Sequence, residues 1–137
     1  MYVALHGPTC LAEAFQQTRT VDRIRDAPWL VEFELDHEVA VLDLRTRWVT
    51  RAGASSAIAT GPRPRARRWA RSIYTAFPSL SGVVYRSSMD PPGTALALFE
   101  RAAKSLPASP RTHRALADPT LLRPIARAAR DLGYVLV

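Results

Sequence analysis

Residues 82–99, GVVYRSSMDPPGTALALF, place two apolar runs on either side of Pro91-Pro92-Gly93. No ladder of strand hydrogen bonds continues through two prolines, so the chain must turn there and resume. Val83, Val84 and Tyr85 suit a pleated, half-buried surface, and residues 95–99 (ALALF) restore one. At the joint stand Tyr85, Arg86, Ser87 and Ser88. Serine hydroxyls there either cap the amides of the turn or line a binding pocket, and local sequence leaves both readings open.

The rest of the chain sets the frame. Its 137 residues, 47% hydrophobic and 23% charged, fit one soluble globular domain with a sizeable core. No apolar run approaches the ~20 residues of a membrane span. The N-terminus lacks a basic n-region and carries Glu13 where a cleavage site would fall, so neither a membrane nor a signal peptide is expected. The single cysteine, Cys10, excludes an internal disulfide and suits a cytoplasmic protein. A formal charge of +7, with Lys104 the one lysine among 19 basic residues, favours anionic partners. Arginine's planar fork matches phosphates and carboxylates.

The pattern of elements is mixed. Residues 1–5 read as a strand. Thr9 reads as the N-cap of a helix running to Gln17, with Leu11, Ala14 and Phe15 as its apolar stripe. Residues 30–35 and 39–44 flank Asp36-His37-Glu38 as a hairpin-like pair of strands. Residues 51–64, rich in Gly, Ala, Ser and Pro, read as a loop. In 65–77 (RARRWARSIYTAF), Trp69, Ile73 and Phe77 recur at helical spacing and form a buried face, with Arg67 and Arg71 solvated. Residues 104–117 read as a polar connection. Pro119 opens a helix to Leu132 with Leu122, Ile125, Ala126 and Ala129 inward, Gly133 stops it, and residues 134–137 close with a strand. The expectation is a compact α+β single domain over 1–137 with a mixed sheet and three helices.

Most candidate sites have a plain reading. The five arginines of 63-RPRARRWAR-71 are the densest charge cluster, but no helix-turn-helix, zinc-finger or ribonucleoprotein motif accompanies them. They are expected to be a solvated face or one that docks an acidic partner, without sequence-specific nucleic-acid reading. His6, His37 and His113 lack metal-ligand spacing, and no metal is expected. Gly82, Gly93 and Gly133 form no phosphate-cradling loop. Glu13 stands apart. It lies beside Leu11, Ala14 and Phe15 on a helix that must pack, either at the helix's polar edge or aimed into a cleft. In a cleft, its carboxylate would stabilise developing positive charge.

These residues carry a resemblance. YVALHGPTCLAEAF, with Tyr2 and Glu13 eleven positions apart, resembles the first motif of RES-domain proteins, the toxins of RES–Xre toxin–antitoxin pairs. GVVYRSSMDPPGTALALF resembles the second, and Ser87 is the matching serine because Phe99 follows it by twelve positions. Of the Arg, Glu and Ser that name the family, Glu13 and Ser87 are the two matched here, and the family's N-terminal segment, with its Arg, has no counterpart ahead of Met1. The chain as given is therefore expected to be catalytically weak or inactive, with Arg86, Arg51 and Arg63 as candidates to meet phosphates in place of that segment.

The resemblance implies a fold similar to ADP-ribosyltransferases and an enzyme that degrades NAD by phosphorolysis or hydrolysis of the nicotinamide–ribose bond. NAD is then a substrate and no cofactor is required. Glu13 and Ser87 would be catalytic, with Tyr2, Tyr85 and Arg86 binding the substrate. Glu13 and Ser87 are expected to face one cleft. Partners would be NAD, an Xre-type antitoxin and, as an open alternative, a second copy of the chain. Two other readings remain: an inactive remnant that only binds the antitoxin, and a basic nucleic-acid-binding module.

Overall fold

The structure, a computed structural model, describes residues 1–55 and 57–137. In chain order its elements are β1 (Tyr2–Ala4), α1 (Gly7–Ala14), β2 (Thr20–Val21), β3 (Trp29–Glu32), β4 (Val41–Asp43), α2 (Trp48–Arg51), α3 (Ala57–Thr60) and α4 (Arg63–Ala76). There follow β5 (Gly82–Arg86), β6 (Thr94–Leu98), a 3-10 turn (Glu100–Ser105), β7 (Thr112–Ala115), a second 3-10 turn (Pro119–Leu121), α5 (Leu122–Leu132) and β8 (Val135–Leu136). The α+β class expected from the sequence is what the chain adopts. Among the described residues there are five α-helices, two of them single turns. No helix among them is long and apolar enough to cross a membrane.

The Pro-Pro-Gly turn does what its residues dictate: β5 and β6 pair antiparallel, with Tyr85 opposite Ala95 and Arg86 opposite Thr94. They form the centre of a four-stranded sheet ordered β1-β6-β5-β4, in which β4 joins β5 in parallel. Side chains alternate along each strand. In this register Tyr2, Ala4, Val83, Tyr85, Ala95 and Ala97 share one face, and Arg86 and Thr94 share the other. α4 lies over the first face. Its Ile73, 3% exposed, and half-buried Trp69 join Val83, Val49 and Ile58 in one core. A second core gathers Leu11, Val21, Leu116, Ile125, Ala128 and Ala129 between α1 and α5.

Several expectations change. β3 and β4 are not a hairpin: β3 pairs antiparallel with β7, while β4 pairs with β5. Strand propensity reports a fit to a pleated surface and says nothing of which strand completes it. β7 falls within the stretch read as a connection, because Thr112-His113-Arg114-Ala115 has no apolar alternation. α1 begins at Gly7 with Pro8 in its first turn, so Thr9 is inside the helix and not its cap. Residues 51–64 are not a plain loop, since α3 and the first residues of α4 fall there. The part of that expectation at Ser56 lies outside the described residues. Phe77 and Leu122, expected inward, are 40% and 44% exposed. Phe77 terminates α4, where Arg101 donates to the carbonyls of Tyr74, Phe77 and Pro78 and lies 3.8 Å over the Tyr74 ring. Gly133 ends α5 in the left-handed region at φ 68°, as its position required.

Candidate active site

Two motifs far apart in sequence meet at one hydrogen bond. The Ser87 hydroxyl donates to Glu13 Oε1 at 2.6 Å. α1 carries Glu13 half-buried, and the end of β5 delivers Ser87, 3% exposed. The same Ser87 oxygen accepts the backbone N–H of Met89 at 3.2 Å and of Asp90 at 3.0 Å. The capping reading of the joint holds for Ser87, whereas the serine there that lines a pocket is Ser88. The Ser87 hydroxyl caps the turn and, with its own proton, fixes the carboxylate.

A second bond clamps the same two elements. Thr9, buried in α1, donates through Oγ1 to Asp90 Oδ2 at 2.6 Å. Gly93 closes the turn, with its N–H on the Asp90 carbonyl at 2.7 Å. A Cβ on Gly93 would stand 2.6 Å from Asp90 Oδ2 and 2.7 Å from Thr9 Cγ2, inside contact distance. Gly93→Ala is expected to force α1 from the turn, costing roughly 1–3 kcal/mol as overpacking does. A urea titration that left the midpoint unchanged would contradict this clamp.

Glu13 lines a cleft of 710 Å³ on the Tyr85 face of the sheet. Its walls include Tyr2, Tyr85 and Ser88 from the sheet side, and Arg63, Ala66, Arg67, Ala70 and Ile73 from α4. The volume falls within the range of small-molecule sites. Tyr2, 75% exposed, stands at the rim. Arg86 is not among the lining residues. Strand alternation sends it to the opposite face, where a hollow of 230 Å³ is formed by Arg45, Arg86, Pro91, Pro92 and Thr94. Arg45 is held there by Asp43 at 2.9 Å, which keeps the Asp43 carboxyl below its usual range. Arg51 lies outside the cleft lining as well, whereas Arg63 is on the helix and in it. Among the described residues, no three His, Cys, Asp or Glu gather as a metal site would need.

The local electrostatics follow from burial. The Tyr85 phenol is pushed up to about 12, first by desolvation, then by the Glu13 carboxylate and by Tyr2. Desolvation also raises the Cys10 thiol, which is correspondingly poor as a nucleophile. Tyr85 therefore offers a neutral phenol beside a carboxylate. Because its folded value lies above the ordinary 10, it adds stability that is full below pH 10 and lost as pH rises towards 12. Ultraviolet titration of Glu13→Gln should show this phenol ionising at lower pH than in the wild type, yet still above 10. An unmoved titration would mean that Glu13 does not act on Tyr85.

Sequence reasoning had placed Arg67 on a solvated face. The structure leaves it exposed but on the cleft wall, one turn from Arg63. The signal was present in the Arg63–Ala66–Arg67–Ala70–Ile73 spacing, but spacing does not say what a face borders. No curated protein and no solved structure matches the chain. The family model of the RES domain matches residues 1–133 of the 137, a span that contains α1 with Glu13, the Ser87 turn and every residue that lines the cleft, and the chain belongs to the RES domain family.

Proposed function

We propose that this chain degrades NAD by breaking the bond between nicotinamide and ribose, as the toxin of a toxin–antitoxin pair. The observation that carries this reading is the Glu13 carboxylate, fixed at 2.6 Å by the buried Ser87 hydroxyl on the wall of a ligand-sized cleft. Membership of the RES domain family supports the toxin context, with an Xre-type antitoxin as the partner.

The chemistry asks little of an acid. As the C1′–N bond breaks, its electron pair leaves with the pyridinium nitrogen, and nicotinamide departs neutral without needing a proton. The ribosyl carbon becomes oxocarbenium-like, and positive charge grows at C1′ and the ring oxygen. A preoriented carboxylate stabilises that charge with no reorganisation at the moment of reaction. Glu13 supplies it. Ser87 acts through Glu13, because its single proton is already donated and its oxygen accepts two turn amides. Tyr2 and Tyr85 offer aromatic faces to the nicotinamide ring, and the neutral Tyr85 phenol is a hydrogen-bond donor. An oxygen of water or phosphate then bonds to C1′. The products are ADP-ribose, with a proton released, or ADP-ribose 1-phosphate.

The test is cellular. Induced expression in a bacterial host should deplete the NAD pool and arrest growth, and Glu13→Gln expressed in its place at the same level should do neither. Growth arrest with an intact NAD pool would overturn the proposal.

A further inference from the structure

We infer that Arg63 and Arg67 grip the diphosphate of the substrate, so that the cleft selects a pyridinium dinucleotide over the phosphate-free nucleoside. The substrate named here rests on the NAD reading above, while the anion clamp can be measured without turnover.

The cleft is lined by two unlike sets of side chains, held on different elements. α4 borders it through Arg63, Ala66, Arg67, Ala70 and Ile73, residues three or four apart and hence on one stripe of the helix. Ile73 is buried against the sheet, the alanines leave room beside the helix, and the two guanidiniums follow towards its N-terminus. The carboxylate of Glu13 comes from α1, and the aromatic rings of Tyr2 and Tyr85 come from β1 and β5.

Two arginines one turn apart on a helix repel each other, and a protein that places them on a shared wall must offset that cost. α4 provides no relief. Its first turn holds no acidic residue, and neither guanidinium is in an ion pair among the described residues. A diphosphate provides it, because two planar guanidinium forks can each engage phosphate oxygens in bidentate fashion. The positive end of the α4 macrodipole lies at this same end of the helix. The complementary ligand therefore has a cation for Glu13 and a dianion for the arginine pair, which is the charge layout of a pyridinium nucleoside joined to a diphosphate. The outward arginines of the same helix, Arg65 and Arg68, do not line the cleft and make an internal control of equal charge.

The experiment compares Arg63→Ala/Arg67→Ala with Arg65→Ala/Arg68→Ala, using three probes: NAD, nicotinamide riboside and ADP. The cleft pair should raise KM for NAD about tenfold or more, with kcat changed far less. Turnover of the riboside, which has the same scissile bond and no phosphate, should be unaffected. Calorimetry should show ADP binding weakened by a similar factor in the cleft pair, retained in the control pair and retained in Glu13→Gln. Equal losses in both double variants would reduce the effect to net charge and overturn the clamp. So would an unchanged KM for NAD and unchanged ADP binding in the cleft pair, a result that leaves the NAD reading standing. ADP binding that depends on Arg63 and Arg67, in a chain that never cleaves NAD, would keep the clamp and remove the NAD reading.

Discussion

Glu13→Gln is expected to lower nicotinamide release from NAD by at least about a hundredfold, the usual consequence of removing a preorganised electrostatic contact to a transition state. The substitution is nearly isosteric. A glutamine carbonyl can still accept the Ser87 hydroxyl that now reaches Glu13 Oε1 at 2.6 Å, so α1 and the turn stay joined. What disappears is the negative charge, which matters only once the ribosyl carbon has become cationic. The loss should therefore fall on kcat, with KM for NAD little changed and thermal stability close to wild type. Glu13→Ala should be worse on both counts, since it also leaves the Ser87 proton without its acceptor. Turnover by Glu13→Gln within a few-fold of wild type would remove Glu13 from the chemistry.

Ser87→Ala should damage both stability and rate. The buried hydroxyl makes three hydrogen bonds, to Glu13, Met89 N–H and Asp90 N–H. Leaving such groups unpaired costs about 1–3 kcal/mol each where they are truly buried, so a destabilisation of a few kcal/mol is expected. The carboxylate would then lose its fixed position, and an error of 1 Å in placing a reacting group can cost about a hundredfold. As a positioning residue, Ser87 should show its effect mainly in kcat. Ser88→Ala is the comparison: its side chain is exposed on the cleft wall, and the loss of stability should be negligible. A Ser87→Ala chain that unfolds at the wild-type denaturant midpoint would mean the turn does not depend on this hydroxyl.

How much of this was legible in the sequence depended on how local each feature is. The β5–β6 pair was legible because two prolines and a glycine force a turn between runs of strand formers. Glu13 and Ser87 were legible as candidates through their motifs, and their meeting followed once both elements were placed. Partnerships between distant strands were not. β3 found β7, eighty positions on at Glu32 and Thr112, and nothing in WLVE specifies that choice. Thr9 looked like a cap because caps and buried hydroxyls share a residue type; only the fold reveals Asp90 as its partner. Arg86 reads from sequence as a neighbour of Tyr85, yet a strand turns successive side chains to opposite faces, which took it out of the cleft. Arg67 is exposed, as its helix face implied, but that face also borders the cleft. A helix period identifies which residues share a face and leaves open whether that face meets solvent, a partner or a substrate.

The most direct test of the account is a proton NMR time course of NAD with the purified chain, followed with and without inorganic phosphate. Free nicotinamide should appear in step with the loss of the NAD anomeric signal, and Glu13→Gln at the same concentration should leave NAD unchanged. NAD that stays intact in the presence of the folded wild-type chain, or nicotinamide release that persists undiminished in Glu13→Gln, would contradict it.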